Sequence, residues 1–329
     1  MKKQIKILIK KIMLKLFTKK IYLYISIIKN YKKIGKKTSF GDENKDKIFY
    51  VIGRGEGGLL WILLQNLGHI AYAVERGYIP VIDLQNNDNQ YLERDALYKE
   101  NAWEYYFKQP MGYNLQDISK SKNIIYNWDD AFPINYGIDV NINEDKENLY
   151  YFRKIYRKYI KFSDFAQEYL YNDFHSIMND CKYKTLGVLC RGTDYLYKRP
   201  LGHYIQPEPE EVIKKAEEVM KCYKCEYLYL ATEDHDIFTL FKQYFGNKLL
   251  TNNQLRFSKK DIENIQYLSQ INHNRKRDKY FMGLEYLSSI FLLSKCSCFI
   301  GGLTAGTTGV YLMSDGFEYD FFYELGRYA

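Results

Sequence analysis

Apolar positions along this chain fall into short β-prone runs that alternate with segments of helical period, from residue 47 to residue 313. Lys47-Ile-Phe-Tyr-Val-Ile52 reads as a strand and Gly53-Arg-Gly-Glu-Gly-Gly58 as a turn. Leu59 to Arg76 repeats its apolar residues as a helix does and is stopped by Gly77, and Tyr78-Ile-Pro-Val-Ile-Asp-Leu84 is a second strand. Strand, turn, helix and strand in that order make one βαβ unit of a parallel sheet. Residues 85–150 are mostly polar, with a helix predicted over 101–107, before Pro110, and a short strand over 124–126. Residues 148–180 read as helical and connect two halves.

The second half is regular again. Leu186 to Cys190 is apolar and β-prone, then breaks into Arg191-Gly-Thr-Asp194. Gln206-Pro-Glu-Pro-Glu-Glu211 opens a helix with early prolines and acids in its first turn, and that helix runs to about Lys221. The pattern continues as a strand over 226–231, a helix over 236–244, a short strand over 248–251, a polar loop to Lys279 and a helix over 280–294. It closes with a strand over 298–300, a small-residue turn over 301–309 and a helix to Met313. Both halves are therefore predicted to be doubly wound α/β units. The expected division is 1–46 for a basic segment and linker, 47–180 for an N-terminal Rossmann-like domain and 181–329 for a C-terminal one.

Composition changes this picture in one place. With 46% hydrophobic and 27% charged residues the 329-residue chain is globular. Its net charge of +8 is uneven: residues 1–37 hold 13 Lys and no acidic residue, which leaves the remainder net negative. Nucleic acid is thus excluded as the expected partner, because the folded body lacks the basic excess it would need. Lys and Ile/Leu/Phe recur at helical spacing in residues 1–37, and the longest apolar run, Ile21 to Ile28, is too short to span a bilayer. The preferred reading is a basic amphipathic helix on an anionic membrane surface; the other is a basic helix docked on the body. No secretory signal with a cleavage site is recognisable, so a cytoplasmic protein, peripheral on the inner face of the cell membrane, is expected.

Candidate chemistry follows the strands of the second half. Arg191, Thr193 and Asp194 end the first; Thr232, Glu233, Asp234 and Asp236 end the next; Gly301 to Thr308 follow the last. In a parallel sheet these share one edge. Small residues, hydroxyls and backbone N–H groups at a helix start can cradle a diphosphate, and an Arg can fork onto its oxygens. The alternative is ordinary turn chemistry. The Gly53–Gly58 turn matches neither G-x-G-x-x-G nor a P-loop. Asp234-His-Asp236 reads either as a metal-chelating D-x-D or as acids placed at a helix start; the second is preferred and no metal ligand is assigned. His69, His175, His203 and His273 form no spaced cluster. Cys222-Tyr-Lys-Cys225 is half a zinc site without a matching half, and Cys190 and Cys298 lie in apolar runs as packing residues.

The order of these segments resembles the fucosyltransferase superfamily, which includes α-1,6-, α-1,2- and protein O-fucosyltransferases. The resemblance is carried by Leu189-Cys-Arg-Gly-Thr-Asp194, Tyr229-Leu-Ala-Thr-Glu-Asp234, Asn274-Arg275 with Gly283 to Ser294, and Phe299 to Gly309; it also reaches Gly53 to Asp83. It implies a GT-B-like fold of two Rossmann-like domains facing a cleft, and metal-independent, inverting transfer from GDP-fucose, which is a substrate and not a cofactor. Arg191 takes the position of the family's diphosphate-binding Arg. Thr193, Asp194, Glu233, Asp234, Arg275, Glu285, Ser289, Thr304, Ala305, Gly306 and Thr307 are the further donor-side candidates. Gly55, Glu56, Gly57 and Gly58 are the acceptor-side candidates, with Glu56 as catalytic base. Three positions depart from the family pattern: Leu189 stands where several members carry His, Gly192 replaces a second Arg, and Ser289 stands where some carry Asp, with Glu285 one helical turn earlier. The expected function is a glycosyltransferase acting on a cell-surface glycan or lipid-linked acceptor. The alternatives are a D-x-D metal-dependent glycosyltransferase and a non-catalytic sugar-nucleotide-binding protein.

Overall fold

The computed structural model describes residues 35–53, 55–127, 136–138, 145–179, 182–265, 271 and 275–329, with the backbone alone for Asp194. Its first sheet runs β1-β4-β2-β3, formed by β1 (Lys36–Thr38), β2 (Phe49–Ile52), β3 (Ile79–Ile82) and β4 (Ile124–Asn127). The central β2 is parallel to both β3 and β4, so the predicted βαβ unit is present, with α1 (Leu59–Glu75) as its crossover.

β1 corrects the sequence reading of residues 1–37. Lys36 and Lys37 are not helical but pair antiparallel with Tyr126 and Ile125, which satisfies backbone groups on the open edge of β4. Gly35, at φ +78°, turns the chain into that edge, where a β-carbon would strike Ile125. Residues 1–34 of the basic segment lie outside the described residues.

The second sheet runs β7-β6-β5-β8-β9 and is parallel throughout. It contains β5 (Thr185–Leu189), β6 (Tyr227–Ala231), β7 (Leu249–Leu250), β8 (Cys298–Gly302) and β9 (Tyr319–Tyr323). The chain moves outward from β5 to β7, then returns to the other side of β5 for β8 and β9. Strand order thus reverses between β5 and β8, and that reversal opens a crevice at the carboxyl ends of those two strands. The edge strand β9 has no counterpart in the sequence reading, because Tyr-Asp-Phe-Phe-Tyr is mostly half-buried and lacks a clean alternation.

Among the described residues the other α-helices are α2 (Ala102–Tyr106), α3 (Lys146–Tyr159), α4 (Asp164–Met178), α5 (Thr193–Lys198), α6 (Pro209–Tyr223), α7 (His235–Phe245), α8 (Asp278–Leu293) and α9 (Ala305–Met313). The helical connection expected over 148–180 consists of two helices, α3 and α4. Ser163 breaks it by capping α4, its hydroxyl accepting from the Ala166 amide.

Both sheets follow the two-residue period of a strand. Phe49, Val51, Val81 and Ile124 face an outer cluster on the first sheet. Leu186, Val188, Leu228, Leu230, Cys298 and Ile300 face a second outer cluster, under α6 and α7. The opposite faces, through Tyr50, Ile52, Ile82, Leu189, Tyr229, Ala231 and Phe299, belong to one continuous core. Residues of α1, α3, α4, α8 and α9 complete that core, so the two sheets share a helical layer.

Close approaches hold the layer together. A β-carbon on Gly309 of α9 would lie 2.4 Å from Leu60 Cδ1 of α1. Arg153 of α3 donates from Nε and Nη2 to the Tyr311 carbonyl at 3.0 and 2.6 Å, and Arg157 donates to the Ser314 carbonyl at 3.1 Å. Cations placed on the carbonyl end of α9 also favour its dipole. Among the described residues, no helix is long and apolar enough to cross a membrane.

Replacing Gly309 by Val should overpack the α1–α9 contact and lower the urea midpoint of unfolding, with a loss of about 1–3 kcal/mol. An unchanged midpoint would show that the contact yields.

Candidate functional site

The carboxyl ends of β5, β6 and β8 are level, because Leu189 registers with both Ala231 and Gly301. Beyond them lies a cavity of about 1800 Å³, lined from both halves of the chain. Arg191, Glu233, Arg275, Glu285, Ser289, Thr304, Ala305 and Gly306 line it from the second half, and Gly55, Glu56, Gly57 and Gly58 from the first.

Two consecutive acids at the end of β6 organise the loop after β5. Glu233 Oε1 accepts from the Gly192 amide and the Thr193 hydroxyl, both at 3.0 Å, and lies 3.4 Å from Arg191 Nε. Asp234 Oδ2 accepts from the Thr193 amide at 2.8 Å, while Oδ1 accepts from the Asp236 and Ile237 amides at 2.8 and 3.0 Å. Together they hold Thr193 at φ +42°, a conformation a β-branched residue seldom adopts. They also explain Gly192. A β-carbon there would lie 2.5 Å from Asp234 Cβ, so no longer side chain fits where the family pattern has a second Arg. The Arg191 guanidinium stacks 4.5 Å from the Tyr195 ring, and Tyr195 Oη lies 3.1 Å from His203 Nδ1.

The same contacts bear on the D-x-D alternative. Asp234 is fully buried with three backbone amides on its carboxylate, whereas Asp236 is exposed in the first turn of α7. Asp234 caps the helix and Asp236 lies in its first turn, the arrangement of acids placed at a helix start. Cys222 and Cys225 also part: the first is exposed, and the second is buried with its thiol hydrogen-bonded to Cys298.

α9 begins at the cavity. Thr304 caps it, Oγ1 accepting from the Thr307 amide at 3.2 Å, which leaves the first amides of the helix at the cavity edge. Thr307 itself is buried and bonded to the Gly302 carbonyl. On α8, Glu285 pairs with Arg275 and its Oε2 accepts from the Leu255 amide at 3.3 Å; Arg275 Nε also meets Asp278 at 3.0 Å. Ser289 Oγ donates to Gln254 Oε1 at 2.6 Å and accepts from Asn252 at 2.9 Å. Facing them, α1 starts at Gly58, which offers no capping side chain. The Tyr91 hydroxyl takes that role, accepting from the Leu59 amide at 2.6 Å. Gly57, at φ +94°, lets Trp61 fold against the turn, and Glu56 is exposed to the cavity.

The structure thus brings most of the predicted residues together but leaves three inside the walls. Thr193, Asp234 and Thr307 do not line the cavity; all three are buried supports for it. The Asp194 side chain, like residue 274, lies outside the described residues. Tyr91, Tyr195, His203, Gln254 and Tyr286 line the cavity without having been singled out. With 34 tyrosines in the chain, no local signal distinguishes these three.

Gly192→Ala should push Asp234 off the Thr193 amide. The expected result is a loss of about 1–3 kcal/mol in unfolding free energy, together with weakened binding at the cavity. Wild-type stability in this variant would refute the tight packing at Gly192.

Neither a family model nor a curated protein matches the sequence. Solved structures match the fold. The fucosyltransferase NodZ from Bradyrhizobium superposes with a TM-score of 0.51 at 14% identity, over 82% of this chain and 94% of that one. POFUT1 in complex with GDP gives 0.46 at 12% identity, over 86% and 99%. A FUT1 variant from Arabidopsis thaliana in complex with GDP gives 0.47 at 9%, over 89% and 74%. The parallel strand pairs at the centre of both sheets, the shared helical layer and the superposition on NodZ agree: this chain has an α/β fold of the GT-B type.

Proposed function

We propose that the chain is a glycosyltransferase that binds a nucleoside-diphosphate sugar in the cavity and passes the sugar to an acceptor hydroxyl. The observation that carries this reading is the placement of Arg191 and the first turn of α9 on either side of the β5–β8 strand reversal. A guanidinium and a helix N-terminus converging on one crevice suit a diphosphate. The sequence resemblance and the NodZ-like fold favour GDP-fucose as donor.

In the proposed reaction an acceptor oxygen forms a bond to the anomeric carbon as the bond from that carbon to the β-phosphate oxygen breaks. The electron pair leaves with the nucleoside diphosphate, and Arg191 offsets the charge that builds on the departing oxygen. The acceptor proton goes to a base, for which Glu56 is proposed because its carboxylate is exposed on the acceptor side of the cavity. Arg275, held by Glu285 and Asp278, lines the same cavity and is proposed to contact the nucleoside. The proposed acceptor is a cell-surface glycan or a lipid-linked one, reached from the inner membrane face through the basic N-terminal segment. The division at residues 180 and 181 into acceptor-side and donor-side domains is part of the same proposal.

Calorimetry against GDP-fucose and a panel of other sugar nucleotides, followed by a donor-turnover assay, tests the reading. GDP-fucose is expected to bind and to be turned over. Binding of a sugar nucleotide without turnover would favour a non-catalytic binding protein. Arg191→Ala should lower turnover by roughly 10²–10³-fold, as loss of one oxyanion-type donor does; full turnover in that variant would remove Arg191 from the mechanism.

Deleting residues 1–34, which leaves β1 intact, should release the protein from vesicles containing anionic lipid. Retained vesicle binding would sink the membrane part of the proposal.

A further inference from the structure

Tyr286 projects from α8 into the cavity wall between two groups of the proposed diphosphate site. On one side is Arg191, whose charge acts on the Tyr286 hydroxyl. On the other is the first turn of α9, where a β-carbon on Gly306 would lie 2.8 Å from Tyr286 Oη. Glycine at 306 is what lets the hydroxyl stand against that helix start.

The neighbouring tyrosine hydroxyls are engaged. Tyr91 Oη accepts from Leu59 and Gln90, Tyr195 Oη meets His203, and Tyr106 Oη donates to the Tyr280 carbonyl at 3.0 Å. The Tyr286 hydroxyl has no hydrogen-bond partner among the described residues, although a phenol in such a wall ordinarily finds one. Arg191, by contrast, already shares its charge with Glu233 at 3.4 Å. The site therefore holds one unengaged neutral donor beside a partly neutralised cation.

We infer that the Tyr286 hydroxyl donates a hydrogen bond to the diphosphate of the donor and acts with Arg191 on the departing group. This rests on reading the cavity as a sugar-nucleotide site. Burial pushes the phenol up to about 12, so it keeps its proton and remains a donor throughout the neutral range. A neutral O–H suits this position, because it strengthens as negative charge grows on the oxygen it faces and adds no proton transfer of its own. Tyr286 would thus be a catalytic residue carried by α8, whereas the other groups on the diphosphate come from loops that follow strands.

The test is Tyr286→Phe, which keeps the ring and removes only the hydroxyl, measured beside the wild type at equal melting temperature. Pyrophosphate and GDP are the binding probes, and GDP-fucose turnover is the kinetic readout. The expected result is binding weakened several-fold for both probes and kcat lowered roughly 10–100-fold with a smaller change in KM, as for a contact that strengthens in the transition state. Gly306→Ala should produce a similar loss on its own and little further loss when combined with Tyr286→Phe, since the two changes disturb one contact. Unchanged pyrophosphate binding and unchanged kcat in Tyr286→Phe would overturn the inference and leave Tyr286 as a packing residue. Tyr286-dependent pyrophosphate binding in a protein that turns over no sugar nucleotide would uphold the contact while the transferase reading fails.

Discussion

The packing of one mixed and one parallel sheet onto one layer of helices constrains everything else in this molecule. The inner faces of both sheets bury against α1, α3, α4, α8 and α9 in a single core. That core leaves little freedom at the points where helices touch: Gly309 meets Leu60, and Gly283 meets the Tyr106 hydroxyl, with no room for a β-carbon at either. A close-packed interior transmits such constraints, because side chains cannot slide without opening voids. One consequence is functional. The starts of α1 and α9 are brought to the same cavity, so the proposed acceptor-side turn and the proposed diphosphate cradle are positioned by helix packing.

Within that frame the chemistry depends on where carboxylates are placed. Glu233 and Asp234 are neighbours in the chain, yet one lines the cavity beside Arg191 and the other disappears into the wall to hold backbone amides. Buried amides need partners, and one buried carboxylate here satisfies three of them. The pair fixes the path of residues 191–193, sustains the positive φ of Thr193 and excludes a side chain at 192. The position of Arg191 thus follows from a hydrogen-bond network whose members are about forty residues apart in the chain. The far wall of the cavity is built differently, by Arg275 clamped between Glu285 and Asp278, and by Gln254 bonded to Ser289.

Much of the architecture was legible beforehand. The runs at 47–52, 78–84, 186–190, 226–231 and 298–300 are strands because apolar period and the Gly or polar residues that end them are local properties. The helix starts at Gly58 and Pro209 were legible for the same reason, whereas α9 begins at Ala305, inside the stretch 301–309 that reads as a small-residue turn. β1 and β9 were not, because each is an edge strand that exists only through a neighbour's unpaired backbone. Lys36 and Lys37 continue a basic pattern that by itself reads as helix, and the open edge of β4 overrides it.

By itself, the sequence determined that strands and helices alternate, that three polar clusters follow three parallel strands, and that an Arg stands first among them. These depend on neighbours within a few residues. Tertiary structure alone decided the strand order that puts the β5 and β8 ends beside each other, the burial of Asp234, Thr193 and Thr307, and the placement of Glu233 on the cavity. It also decided that Tyr286, one among 34 tyrosines, stands at the α9 start. Which way a polar side chain faces is set by contacts from distant segments, and no local pattern carries that information.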